Sequence, residues 1–142
     1  VSERDFNKIS KYKWYAHKKG RNFYAMRMSS VNSKRVIIPM HTAIIKTPRG
    51  KEIDHRDGDG LNNQRSNLRI CTHAQNNWNK GKHVDNSSGY KGVYWHKQNR
   101  NWIARIMVNG KAINIGSFSN KERANSAYVD ACKKYHGEFA KQ

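Results

Sequence analysis

The chain has 142 residues, 28 of them Lys or Arg and 10 Asp or Glu, for a formal charge of +18 and an isoelectric point near 10.2. With 36% hydrophobic residues, any core is modest and is divided within one domain or between two small ones. No apolar run has the length of a spanning helix and no stretch has signal-peptide architecture, so the expected partners are polyanions, nucleic acid before an anionic membrane surface.

The first unit opens on alternating, aromatic-rich segments, YKWYAH at 12–17, NFYAMRM at 22–28 and RVIIPM at 35–40, which predict strands; KKGR between the first two predicts a hairpin. VIIPMHTAII at 36–45, the longest apolar cluster, is broken by Pro39 and His41, and HTAIIK at 41–46 reads as a short helix stopped by Pro48 and Gly50. KEIDH (51–55) and NLRIC (67–71) read as short strands around a Gly/Asn-rich loop. Thr72 then begins a helix, with Gln75 completing a capping box in which each side chain takes an orphaned backbone N–H. The order strand, loop, strand, helix makes a ββα unit.

KGKHVDNSSG has almost no apolar residue and reads as a linker. Beyond it, GVYWHK (92–97), WIARIMV (102–108) and KAINIGSF (111–118) alternate as three antiparallel strands, with Asn109-Gly110 as a hairpin turn. Ser119 with Glu122 predicts the start of a helix whose Ala124, Ala127, Tyr128, Ala131, Cys132 and Tyr135 share one face, capped by Gly137. The expected fold class is therefore α+β, with a β-rich N-terminal region and ββα unit over 1–80, a linker at 81–88, and a three-stranded sheet plus helix over 89–142. Cys71 and Cys132 are far apart, lack CxxC spacing and lie in apolar segments, so both are expected as buried free thiols in a reducing cytoplasm.

Both halves are basic, with 17 basic and 6 acidic residues in 1–80 against 11 and 4 in 81–142, so both are expected to meet the polyanion. Period two places Trp102, Ala104, Ile106 and Val108 against the helix and leaves an open sheet face offering Lys91, Tyr94, His96, Arg105, Lys111 and Asn114 to duplex DNA. From SSGYKGVYW to HGEFA the chain resembles the AP2 DNA-binding domain, on Lys91-Gly92-Val93, on Trp102 with Ala104 and Ile106, on Ile115-Gly116-Ser117-Phe118 and on Ala127-Tyr128. That resemblance implies a sheet docked in the major groove. Tyr94, His96 and Met107 stand where the plant transcription-factor branch has arginines, so base preference does not carry over.

EIDHRDGDGLNNQRSNLRICTHAQNNWNK (52–80) sets an Asp-His doublet beside six asparagines. A calcium loop is excluded, because Arg56 or Leu61 falls where an EF-hand needs an oxygen ligand. The doublet, the Gly/Asn loop, the SNL strand start and an Asn on the next helix together resemble the HNH nuclease motif of phage and intron homing endonucleases, with His55, Asn67 and Asn76 as its three letters. The resemblance implies His55 as general base, Asp54 and Asn76 as ligands of one Mg²⁺ (or Mn²⁺), and Asn67 holding the His55 ring or tying down the loop. Arg65 and Arg69 are candidate phosphate clamps; His73 reads as a capping or surface-exposed residue ahead of a phosphate or metal-shell one, and His41 as a support of the fold ahead of a DNA contact. The function implied is metal-dependent hydrolysis of phosphodiester bonds in double-stranded DNA by a monomer or weak dimer with no small-molecule cofactor. The alternative is a DNA-binding regulator without catalysis.

Overall fold

In a computed structural model that describes residues 1–141, two compact units meet inside one helix, the first ending at Asn76 and the second starting at Asn77. The fold is α+β, with every strand pairing antiparallel.

The first unit runs α1 (Glu3–Ile9), β1 (Tyr15–Lys19), β2 (Asn22–Val31), β3 (Lys34–Pro39), α2 (Met40–Ile44), β4 (Glu52–His55), β5 (Leu68–Cys71) and α3 (His73–Asn79). β1, β2 and β3 form one sheet in chain order, and β4 pairs with β5 from Glu52↔Cys71 to His55↔Leu68. The core joins Ile9, Met40, Ile44 and Leu68, with Trp14, Ala25 and Ile53 packed on it. The capping box forms as expected: Thr72 N donates to Gln75 Oε1 at 2.8 Å and Gln75 N to Thr72 Oγ1 at 3.2 Å.

Two elements depart from the sequence reading. α1 was not expected, because Phe6 and Ile9 are too few apolar residues to declare a helical period. Tertiary contacts hold it instead. Arg65 grips buried Asp5 with two parallel bonds, Nε to Oδ2 at 2.7 Å and NH2 to Oδ1 at 2.8 Å, while Arg65 N donates to Ser2 Oγ at 2.8 Å. That guanidinium holds the Asp5 carboxyl below its ordinary range, outweighing burial. β1 begins at Tyr15 rather than Tyr12, because Trp14 Nε1 donates to Ile9 O at 2.8 Å and Tyr12 lies under the Arg27 guanidinium at 4.0 Å.

The second unit comprises β6 (Val93–His96), β7 (Asn101–Val108), β8 (Lys111–Phe118), α4 (Lys121–His136) and a closing 3₁₀ turn (Gly137–Phe139). Asn109 and Gly110 take positive φ of 50° and 77°, as the two-residue hairpin demands. α4 is capped by Asn120, whose side chain accepts from Arg123 N at 2.8 Å, and not by Ser119; an Asn is as good a cap and sits one residue closer. Val93, Ala104 and Ile106 of the sheet pack on Ala124, Tyr128, Ala131 and Cys132 of α4. Both cysteines are free and buried, and burial pushes both thiols up, Cys71 to about 11.

The stretch at 81–88 is a folded loop of this unit: Asn86 Oδ1 accepts from Gly89 N at 2.8 Å, and Asn86 Nδ2 donates to Tyr90 O at 2.7 Å. The unit reaches back into α3 because Trp78 stacks on His136, centroids 4.2 Å apart and planes 9° off parallel.

Gly92 tests how tightly this unit is closed. Its φ is +72°, and a Cβ there would lie 2.0 Å from Tyr128 Cε2 and 2.7 Å from Arg105 O. Gly92→Ala combines a left-handed backbone with overpacking, for an expected loss of about 2–4 kcal/mol, read as a lower denaturant midpoint.

Candidate active site

The β4–β5 hairpin exposes what a two-residue period does at a strand end. Glu52 and Asp54 project from one side of β4, and Ile53 and His55 from the other. Asp54 and His55 are both buried, each in its own surroundings.

His55 lies among aromatic rings. His41 from α2 meets it edge-on at 5.2 Å, and Tyr24 from β2 at 6.0 Å. Its Nε2 is 3.3 Å from Oδ1 of Asn63, a residue only 1% exposed. The Asn63 amide is oriented by its own donors, because Nδ2 gives hydrogen bonds to Gly60 O at 3.3 Å and Leu61 O at 3.1 Å. Oδ1 therefore faces the imidazole as an acceptor, and Nε2 carries the proton. That tautomer makes Nδ1 the basic nitrogen.

Asn67 ties down the loop. Its Oδ1 accepts from Asp57 N at 3.1 Å, and its Nδ2 donates to Asp57 Oδ1 at 2.9 Å and Asn62 O at 2.8 Å. Further turns lock the loop: Asp59 N donates to Asp57 Oδ1 at 2.8 Å, and Leu61 N to Asp59 Oδ1 at 2.9 Å. For Asp57 burial raises the carboxyl, but the bonds from Asp59, Asn62 and Asn67 and the neighbouring His55 lower it further.

On the other side of β4, Arg69 meets Asp54 across the hairpin pair Asp54↔Arg69, with Nε and NH2 each 2.8 Å from Oδ2. Glu52 receives His73 Nδ1 on Oε1 at 2.7 Å and Asn76 Nδ2 on Oε2 at 2.6 Å, so the first turn of α3 sits against that face. Asp54, Asn76 and Glu52 are hard oxygen donors, the set that suits Mg²⁺ or Mn²⁺. Among the described residues no three His, Cys, Asp or Glu side chains form a metal cage. Asp54 and Asn76 are the side chains of this set that would hold such a cation.

Several expected DNA contacts have other work. Arg65 and Arg69, expected as phosphate clamps, each pair with a carboxylate in this structure: one holds Asp5 and the other Asp54, because a guanidinium fork matches a carboxylate close by. Lys91 turns inward, its Nζ donating to Trp78 O at 2.5 Å, Lys80 O at 2.6 Å and Lys141 O at 3.3 Å, and burial lowers the ammonium pKa. Lys111 pairs with Val108 across the two-residue turn and so lies on the helix side of the sheet, not its open face. His96 Nδ1 accepts from Asn99 N at 3.2 Å and serves its own turn. Tyr94, Arg105 and Asn114 do share the open face and are exposed. His73 is exposed over 76% of its side chain, as one of its two expected readings has it, and contacts Glu52.

Sequence reasoning singled out neither Asn63, Glu52 nor Tyr24. Glu52 was within reach through its two-residue spacing from Asp54; Asn63 was not, since nothing separates it from its neighbour Asn62.

His41 supplies a pH signature. Burial, then the charges of His55 and Lys19, lowers its pKa from 6.5 to about 4. A depressed folded pKa means that stability is fully present above pH 6.5 and is lost as pH falls through about 4, because the unfolded chain takes up the proton first. In His41→Gln that slope disappears. Urea midpoints between pH 7.5 and 4 are expected to fall less for the variant than for the parent.

Comparison with known proteins follows the same residues. Positions 46–78 match the family model described as HNH endonuclease. Over 134 residues, covering 93% of this chain and 67% of the relative, the chain is 36% identical to an uncharacterized HNH endonuclease of Acanthamoeba polyphaga mimivirus. It is 35% identical over 94 residues, 66% of this chain and 77% of the relative, to Protein 3.8 of Escherichia phage T7. No solved structure matches it significantly.

Proposed function

The chain belongs to the HNH endonuclease family, and from that premise we propose that it hydrolyses phosphodiester bonds in duplex DNA with His55 as general base and one divalent cation held by Asp54 and Asn76. The observation that carries this reading is the oriented imidazole. Asn63 fixes the tautomer that leaves Nδ1 as the basic nitrogen, the atom that would take the proton from water. Asn67 keeps the intervening loop in one conformation, and the His41 and Tyr24 rings restrict water around His55. A bound cation supplies charge neutralisation at the scissile phosphate and at the departing oxygen. Mg²⁺ is the proposed ion and Mn²⁺ its substitute, on the hard-oxygen donor set.

The second unit is proposed as an AP2-like DNA-binding module that presents Tyr94, Arg105 and Asn114 to the major groove. Supporting it are the three-stranded sheet on one helix and the exposed face these residues share. A homing-type, site-specific enzyme acting in the cytoplasm of an infected cell is part of the same proposal; its relatives come from a phage and a giant virus. One motif per chain makes nicking the expected outcome for a monomer. Among the described residues no helix is long and apolar enough to cross a membrane.

Supercoiled plasmid incubated with Mg²⁺ is expected to convert to open circle, and to stay supercoiled with EDTA. Plasmid and cognate-site duplex both left intact with Mg²⁺, while DNA is still bound, would replace this reading with that of a non-catalytic binder.

A further inference from the structure

An asparagine can turn either end of its amide toward a cation, and only one end binds. Oδ1 carries the lone pairs; Nδ2 carries two hydrogens and repels positive charge. Asn76 therefore serves as a ligand only if something selects its orientation. Glu52 is built to do so. A carboxylate accepts hydrogen bonds and donates none, so Glu52 Oε2, 2.6 Å from Asn76 Nδ2, holds the NH2 end and turns Oδ1 away from itself. The other oxygen, Oε1, is anchored by His73 Nδ1 at 2.7 Å, so the carboxylate is gripped at both ends. Two-residue alternation along β4 puts Glu52 on the side that carries Asp54. The strand thus delivers one proposed ligand and the group that orients the other.

We propose that Glu52 is a positioning residue that sets the amide of Asn76 with its oxygen toward the cation, with His73 bracing the carboxylate. This deepens the proposed metal reading and rests on it. Outer partners of metal ligands typically change affinity by about 10–100-fold when removed, because the ligand must then be reoriented at each binding event.

The test is Mn²⁺ affinity of the full chain without DNA, followed by the electron paramagnetic resonance signal of free Mn²⁺, with circular dichroism confirming that each variant is folded. Glu52→Ala is expected to weaken Mn²⁺ binding by about 10–100-fold. Glu52→Gln keeps an oxygen for Asn76 Nδ2 and should bind within about 3-fold of the parent, since its oxygen takes over the same hydrogen bond. In an Asn76→Asp background both ligand oxygens are equivalent, so the difference between the Ala and Gln variants at position 52 should collapse.

Equal losses for Glu52→Ala and Glu52→Gln would overturn the proposal in favour of a charge or direct-ligand role. So would a difference that persists beside Asn76→Asp, or no loss in Glu52→Ala. Asp54→Ala and Asn76→Ala separate the two levels. If neither alters Mn²⁺ binding, the metal reading itself fails and takes this inference with it; if both abolish binding, the result at position 52 decides the inference alone.

Discussion

Replacing His55 with alanine is expected to cut the rate of plasmid cleavage by about 10²–10⁴-fold, the usual contribution of a positioned general base. The expectation comes from how completely the imidazole is oriented. Asn63 Nδ2 is committed to two loop carbonyls, so its oxygen faces Nε2 and the histidine has one useful tautomer. DNA affinity should change little, because the exposed side chains proposed to bind DNA, Tyr94, Arg105 and Asn114, lie on the sheet of the second unit. Single-turnover cleavage and equilibrium DNA binding, measured side by side, check both halves. A His55→Ala protein that cuts at the parental rate would remove His55 from the mechanism. One that neither cuts nor binds would mean the fold had been lost.

The second large effect concerns stability. Arg69 and Asp54 are each about 6% exposed in their side chains and lie 2.8 Å apart across the hairpin. Taking two charges out of water is costly, and the pair holds because each offsets the other's desolvation. Arg69→Met keeps much of the side-chain volume but deprives Asp54 of this cation, and is expected to cost about 3–5 kcal/mol. Urea denaturation reads this as a lower midpoint. Arg69→Met combined with Asp54→Leu should recover most of the loss, since no buried charge then lacks its counterpart. A single variant as stable as the parent would show that Asp54 is solvated in the folded protein.

Much of the architecture was legible because it obeys local rules. Alternation marked the strands, Thr72 with Gln75 marked the start of α3, and Asn109-Gly110 marked the β7–β8 turn. What escaped depends on residues remote in sequence. α1 exists because Asp5 finds Arg65 sixty positions away, and no window over the first ten residues contains that partner. Arginines at 65 and 69 look alike in a basic chain, and only the fold shows that each faces a buried carboxylate. The candidate site divides the same way. The residues at 54, 55, 67 and 76 stand out through the resemblance of 52–80 to the HNH motif, whereas the hydrogen bond to His55 comes from Asn63 because the loop closes in three dimensions. Lys91 misled for a related reason: a lysine beside a strand reads as surface, yet three backbone carbonyls converge on it.

The Asp5–Arg65 clamp has a kinetic side. The β4–β5 hairpin and α3 join residues close in sequence and can form early, whereas the clamp closes a loop of sixty residues and must await them. Contacts absent from the transition state act on escape from the native state rather than on arrival. The grip on α1 is therefore expected to work as a latch: loosening it should shorten how long the first unit stays folded and hardly change how fast it folds.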